Sequence, residues 1–345
     1  MSARCVWIDW LTMYCKSEMI HQNKRWQWQL QKEGTAQFAE MWKVYDREKG
    51  DLYCVVQKKP YSPIIPRDAV MVKVENRYLY YQNWNVELCN FLLASNIQPI
   101  SVSRIDIACD FNRFANNLHP RQFIANFCTK KYRYAGRSKW NINGSGSTID
   151  GADYLRIGSR DSEISAYLYN KSVELREVQD KPYIRDMWER SGLDTSKDVW
   201  RLEVSLSNVQ LKWVNTQNGE IFRIDLDQVA TLGRMENIFN CAVEKAFDFR
   251  HNEEGKRTAR LKRVQLFSSA PTTLIALYPN DEPKTSRIDK IIVKRLANYY
   301  SKYRVECQED ADKLIGAIEV LIKNEELRRH LYEKVIPTLG YWKER

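Results

Sequence analysis

Two stretches of this 345-residue chain alternate polar and apolar residues as a sheet with one apolar and one polar face requires. In Arg104-Ile105-Asp106-Ile107-Ala108-Cys109-Asp110, a period of two puts Arg104, Asp106, Ala108 and Asp110 on one face and Ile105, Ile107 and Cys109 on the other. In Trp200-Arg201-Leu202-Glu203-Val204-Ser205-Leu206, Arg201, Glu203 and Ser205 share a face. Each strand therefore holds an acid two residues after an arginine. Acids are depleted inside strands, so two placed alike need a reason. One is a hard-cation site, since carboxylate oxygens suit Mg²⁺ or Mn²⁺. The other is that each acid neutralises its neighbouring arginine on a solvated face. Asp106, paired across the sheet with Glu203, is the favoured cation pair. Asp110 lies about 13 Å from Asp106 on a straight strand, at about 3.3 Å per residue, too far to share one ion easily.

The stretch 154–174 reads as a β-hairpin. Its first arm runs from Tyr154 to Gly158, its turn is Ser159-Arg160-Asp161-Ser162, and its return arm runs from Glu163 to Lys171. On the return arm Ala166 and Leu168 point one way, while Ser165, Tyr167, Tyr169 and Lys171 point the other. A tyrosine beside a cation on one face suits a nucleophile attacking a cation-polarised phosphate. The same residues also suit a half-exposed strand with ordinary surface tyrosines.

A formal net charge of +10 points to a polyanionic partner, nucleic acid first, and 11 Trp and 19 Tyr offer surfaces for stacking on unpaired bases. The segment TKKYRYAGRSKW (residues 129–140) interleaves Lys130, Lys131, Arg133, Arg137 and Lys139 with Tyr132, Tyr134 and Trp140. It reads as a mobile, DNA-contacting loop suited to a single strand. Lys256, Arg257, Arg260, Lys262 and Arg263 form a second basic cluster. The eight cysteines form no CxxC pair, the four histidines no His-x-His pair, and there is no GxxxxGK[ST] loop. Zinc sites, paired-histidine metal sites and P-loop NTPases are therefore unsupported. With no signal peptide or membrane-spanning apolar run, a cytoplasmic protein with no membrane partner is expected.

Along the chain, residues 5–16 read as an opening strand with Val6, Ile8, Trp10, Thr12 and Tyr14 on one face. The polar stretch 22–35 interrupts it. Hairpins are predicted at 38–57 and 69–81, the latter ending in a strand at 78–81. Helices are predicted at 86–95, 119–130 (with Pro120 in its first turn), 182–191 and 226–247. A loop is predicted over 133–151 and a last strand at 263–268. Prolines and polar residues mark a boundary near 271, followed by helices at 288–302, 310–322 and 325–333. The predicted architecture is α+β: an antiparallel β-sheet catalytic domain flanked by helices over residues 1–270, with a C-terminal helical region over 271–345.

IDWLT near the start, SRIDIACDF, the IGSRDS turn, YNKSVE and VWRLEVSL occur in an order that resembles the Rep_trans family over residues 5–268. These are rolling-circle replication initiators of plasmids and phages, with relatives that act as relaxases of integrative conjugative elements. The resemblance implies a metal-dependent DNA strand-nicking and joining transesterase. In that chemistry a tyrosine attacks one strand at an origin, becomes joined to its 5′ phosphate and leaves a 3′ hydroxyl. The matching tyrosine is Tyr169, with Tyr167 its rival one pleat away. Lys171 and Glu174 match the YxKxxE pattern. The matching acids are Asp106, Glu203 and Asp110, with Mg²⁺ or Mn²⁺ as cofactor. Asn170 stands where many members have an acid, and Tyr167 where an arginine is frequent. Origin DNA, supercoiled or single-stranded, is the implied partner, together with a host helicase and a second copy of the chain. A conjugative relaxase with the same chemistry and a non-catalytic DNA-binding regulator are the alternatives.

Overall fold

The computed structural model describes residues 3–63, 65–136, 138–144, 152–159, 162–207, 212–215, 221–267 and 274–277. Its strands are β1 (Arg4–Lys16), β2 (Trp26–Leu30), β3 (Phe38–Asp46), β4 (Leu52–Pro60), β5 (Ala69–Val74), β6 (Gln98–Phe111), β7 (Tyr132–Tyr134) and β8 (Trp140–Gly144). They continue with β9 (Ala152–Ile157), β10 (Ile164–Asn170), β11 (Trp200–Ser207), β12 (Lys212–Asn215), β13 (Ile221–Phe222), β14 (Phe249–His251) and β15 (Leu274–Leu277). The α-helices are α1 (Asn76–Leu79), α2 (Trp84–Ala94), α3 (Pro120–Cys128), α4 (Lys171–Glu177), α5 (Pro182–Arg190), α6 (Leu226–Val229) and α7 (Leu232–Ala246). The chain is thus α+β, built on antiparallel sheet. The described residues divide into two units: those within Met1–Tyr14, Lys73–Leu93 and Pro99–Tyr278 form the first, and those within Cys15–Val72 and Ala94–Gln98 the second. The predicted C-terminal helices lie outside the described residues.

In the first unit the strand order is β1-β6-β11-β10-β9-β8. β6, β11, β10, β9 and β8 pair antiparallel in turn. Alternation divides this sheet as the sequence predicts. Ile105, Ile107, Cys109, Leu202, Val204, Leu206, Ala166 and Leu168 are fully buried on one face. Helix α7 packs against β10 and β11. Its buried residues Met235, Ile238, Phe239, Ala242, Val243 and Ala246 recur at i, i+3, i+4 spacing, one apolar stripe of a helix. The opposite face carries the acids, Arg201 and the two tyrosines. One end of it is roofed by a cluster that includes Tyr80 beyond α1, Leu175 of α4, and Ile184, Met187 and Trp188 of α5.

In the second unit β2, β3 and β4 pair antiparallel in turn, and β5 follows β4 in the sheet order. β2 falls in the stretch 22–35 that its polarity marked as an interruption. Only Trp26 of β2 is buried, so this edge strand has no alternation to read.

Several predicted elements differ. Tyr78, Leu79 and Tyr80 are all buried, which a period of two cannot accommodate, and the chain turns helically there instead of forming a strand. The single helix expected over 226–247 is two: Thr231 is extended (φ −118°, ψ 142°) and separates α6 from α7. The described part of the loop expected over 133–151 holds strand, since β7 pairs with β14 and β8 with β9. The strand expected at 263–268 is reduced to one bridge, Arg263 to Arg250. Gly158, at the end of the hairpin's first arm, has φ +87°, and a Cβ there would lie 3.1 Å from the Ile164 carbonyl oxygen, so glycine suits this turn.

Candidate active site on the polar sheet face

The register of β6, β11 and β10 brings the sequence-predicted residues to one face. Asp106 lies opposite Ser205, Ala108 opposite Glu203 and Asp110 opposite Arg201. Across the next ladder, Glu203 faces Tyr167 and Arg201 faces Tyr169. Asp106 and Glu203 are therefore on neighbouring strands but diagonal to each other, one pleat out of the direct pairing the sequence suggested. Diagonal neighbours remain within reach of long side chains.

Tyr169 donates its phenolic hydrogen to Glu203 Oε2 at 2.9 Å. Burial, and then the negative charge of Glu203, push the Tyr169 hydroxyl well above its usual value, so the phenol is protonated at rest. Glu203 is itself pushed up to about 8, first by burial and then by the charges of Asp9 and Asp106. Part of its side chain stays open on the sheet face. Asp106 is also raised, chiefly by burial, against the hydrogen bonds of Arg104 and Ser205. Arg104 grips it with two bonds, Nε to Oδ1 at 3.0 Å and Nη2 to Oδ2 at 2.7 Å. The Arg104 side chain is 49% exposed, and an ion pair with so exposed a partner contributes little.

Tyr167 does not share this arrangement. Its hydroxyl accepts from Ser165 Oγ at 3.3 Å, and its ring lies under Arg156 and beside Tyr154.

Asp110 is engaged elsewhere. Arg201 Nε and Nη2 donate to its two oxygens at 2.6 and 2.7 Å, and Trp188 Nε1 donates to Oδ2 at 2.7 Å. With both oxygens taken, Asp110 serves as the anchor of Arg201, a different part from the cation ligand that the sequence match implied. Arg201 also donates to Asp9 Oδ1 at 2.7 Å and to the Tyr80 hydroxyl at 3.0 Å.

Asp9, in IDWLT, is the acid that the sequence reading passed over. Tyr80 donates to its Oδ1 at 2.6 Å. Burial opposes its charge, but Arg201, Lys171 and the hydrogen bonds of Tyr80 and Asn76 outweigh that and hold the carboxyl well below the usual range. The signal was available: an acid between Ile8 and Trp10, mid-strand, as in the two strands that were recognised.

Lys171 is not on the strand. β10 ends at Asn170, whose side-chain oxygen accepts from Val173 N at 3.1 Å and caps α4. Lys171 opens the helix, buried, with Nζ 2.7 Å from Glu174 Oε2 and 5.5 Å from the centre of the Tyr169 ring. Burial and the like charge of Arg201 lower its pKa. Asn170 Nδ2 also donates to Asp198 at 2.9 Å, so the asparagine that departs from the family pattern has a structural task. Asn170→Ala is expected to lower stability by about 1–2 kcal/mol, read by urea denaturation; a change near zero would mean that the cap does not hold α4.

Among the described residues, no three His, Cys, Asp or Glu side chains form a group that could hold a metal ion. Of the predicted DNA-binding residues, Lys130, Lys131, Arg133 and Lys139 are exposed, and Arg137 lies outside the described residues. Tyr132 and Tyr134 are turned into the fold. Tyr132 packs on Phe123 and His251, while Tyr134 packs on Phe249 and donates to the Ala246 carbonyl at 3.1 Å. No helix among the described residues is long and apolar enough to cross a membrane.

No protein-family model matches the chain, and no curated protein matches it. Among solved structures it is similar to a rolling circle replication initiator protein from Geobacillus stearothermophilus, at 13% identity and a TM-score of 0.45, over 76% of this chain and 93% of that one.

Proposed function

We propose that the chain is a rolling-circle replication initiator that nicks and rejoins one strand of DNA, with Tyr169 as nucleophile. The observation that carries this reading is the hydrogen bond from the Tyr169 hydroxyl to Glu203, on a polar sheet face that also holds Asp106, with Asp9 and Lys171 of α4 close by. A nucleophilic tyrosine needs such an acceptor, because a phenol with a pKa well above 10 must lose its proton as it attacks.

In the proposed reaction the ionised form of Glu203 takes the phenol's proton through Oε2, the oxygen that the phenol bonds. The Tyr169 oxygen forms a bond to phosphorus, the bond from phosphorus to the 3′ oxygen breaks, and that oxygen leaves with a proton from solvent. The protein is then joined to the 5′ phosphate. Attack by the freed 3′ hydroxyl reverses the sequence and returns the proton to Tyr169. Lys171, fixed beside the ring by Glu174, stabilises the phenolate. Arg201, Asp110 and Tyr80 hold the floor of the site in place.

Asp106 and Glu203 would hold a divalent cation. They are hard oxygen donors whose mutual repulsion a cation relieves, and Mg²⁺ commonly takes one or two carboxylates and fills its remaining positions with water and phosphate. Bound there, it would neutralise charge on the scissile phosphate. Asp106 would be freed for it by a swing of the half-exposed Arg104, which bonds both its oxygens, whereas Asp110 is left out of this set because the buried Arg201, together with Trp188, holds it.

Tyr169→Phe removes one oxygen. It is expected to abolish nicking of supercoiled DNA in Mn²⁺ while DNA binding stays within about twofold, because phosphate contacts dominate affinity. Agarose electrophoresis of supercoiled and open-circular forms reads the first and fluorescence anisotropy the second. Undiminished nicking by this variant would sink the assignment.

A further inference from the structure

We infer that the two-stranded ribbon β7–β14, with the segment that follows it, is a docking surface for the phosphate backbone of duplex DNA. This rests on the reading of the chain as a DNA-nicking enzyme and adds a second contact with the same substrate.

The two basic clusters are more than a hundred residues apart in sequence, and the fold joins them. β7 and β14 pair with Arg133 opposite Arg250 and Tyr132 opposite His251. Asn252 ties the ends together, its N donating to the Lys131 carbonyl at 2.9 Å and its Nδ2 to the Lys130 carbonyl at 2.8 Å. Arg133 Nη1 reaches Thr258 Oγ1 at 3.3 Å, and His251 N donates to the Lys262 carbonyl at 2.9 Å. Lys130, Lys131, Arg133, Arg257, Arg260 and Lys262 are all exposed. None of them forms an ion pair among the described residues, whereas Arg250 and Arg263 pair with Asp248, and Lys256 with Glu253. Six exposed cations without ion pairs, Arg133 on the ribbon and five on the segments beside it, form a concentrated positive surface.

The rings decide which polyanion it takes. A single strand is held by cations on phosphates and by aromatic faces under its bases. Here the ribbon's tyrosines pack inward on Phe123 and Phe249. Trp140, which is 52% exposed, belongs to β8 rather than to the ribbon. What faces outward is chiefly charge: both tyrosine rings are half-buried by this packing, and His251 is the exposed ring among the ribbon's residues. That suits a duplex, whose bases are already stacked and whose outside is phosphate. The pairing of β7 with β14 and the bonds made by Asn252, Arg133 and His251 also hold the cation-bearing segments together, which a mobile loop would not do.

The test is a fourfold variant, Lys131→Ala, Arg133→Ala, Arg257→Ala and Lys262→Ala, made in the Tyr169→Phe background so that nothing is cut. Thermal melting verifies the fold, and Glu254→Lys in the same background adds a cation without removing a contact. Binding to a 24-base-pair duplex and to a 24-nucleotide single strand is followed by anisotropy between 50 and 200 mM salt. The fourfold variant is expected to lose at least about tenfold in duplex affinity at the upper salt concentration, with the slope of log K against log salt shallower by about 3. Single-strand affinity should change far less, and Glu254→Lys should tighten the duplex. Equal losses on both DNAs would overturn the proposal in favour of a single-strand path, and no loss on either would make the ribbon a solvated face. Neither outcome bears on Tyr169 chemistry, which is scored separately by covalent adduct formation.

Discussion

Arg201→Leu is expected to lower the free energy of unfolding by about 3–5 kcal/mol, the range for removing one partner of a buried ion pair. The Arg201 side chain is fully buried, and its guanidinium bonds both oxygens of Asp110, one of Asp9 and the hydroxyl of Tyr80. Leucine fills much of the volume but leaves the carboxylates of Asp110, buried, and Asp9, mostly buried, without their guanidinium partner. Without the Arg201 charge, burial would favour the protonated form of Asp9, so the variant's stability should improve as the pH is lowered. Replacing Asp110 by Asn in the same chain should recover part of the loss, since a neutral amide still accepts from Trp188. Urea denaturation at pH 7 measures both. A loss under about 1 kcal/mol would mean that Arg201 is not the support of this face.

Glu203→Gln is expected to reduce nicking by about 10²–10⁴-fold, the usual contribution of a positioned proton acceptor. The same change should alter stability in the opposite sense at high pH. The folded-state pKa of Glu203, about 8, lies above its ordinary value. Its contribution to stability is therefore fully present below the unfolded pKa, near 4.3, and is lost as pH rises through the folded value. Between those limits the unfolded chain has released a proton that the folded chain keeps. Wild-type stability should thus fall with pH, at up to about 1.4 kcal/mol per unit from this group. Glutamine removes that slope, so the variant should melt above the wild type at pH 9. Mn²⁺ should raise the wild-type melting temperature at pH 7.5 and leave that of Glu203→Gln nearly unmoved. Identical pH profiles for the two proteins would contradict the assigned shift, and an equal Mn²⁺ response would remove Glu203 from the cation site.

The polar face was legible because local alternation alone determines it. Arg104, Asp106, Arg201 and Glu203 alternate with residues that the fold buries completely, and the period of two needs no knowledge of partners. Register is a different matter. Whether Asp106 meets Glu203 directly or diagonally depends on how β6 slides along β11, and nothing within either strand fixes that. Lys171 was placed on the strand by extending the alternation one residue too far. Asn170 is a helix-capping residue type, and Glu174 four residues on fits a first turn, so the stop was readable from capping chemistry. Tyr132 and Tyr134 were assigned to DNA because they sit among cations. Their rings turn inward because β14, more than a hundred residues later, supplies Phe249 as a packing surface, and no local pattern anticipates that. Asp9 was readable by the rule that found the other acids, but it stands between two large apolar residues that dominate the appearance of the strand.

The central claim is that the Tyr169 oxygen becomes joined to DNA. The direct measurement is the site of the covalent adduct. The protein is incubated in Mn²⁺ with 3′-labelled single-stranded DNA tiling both sides of its own reading frame, together with a random-sequence pool, and labelled protein is recovered after denaturing electrophoresis. Trypsin cleaves after Arg160 and Lys171, so one peptide carries both Tyr167 and Tyr169, and fragmentation by mass spectrometry separates them. The account predicts a nucleotide on Tyr169 in the wild type and no labelled protein from Tyr169→Phe. A nucleotide on Tyr167, or an adduct that persists in Tyr169→Phe, would contradict it.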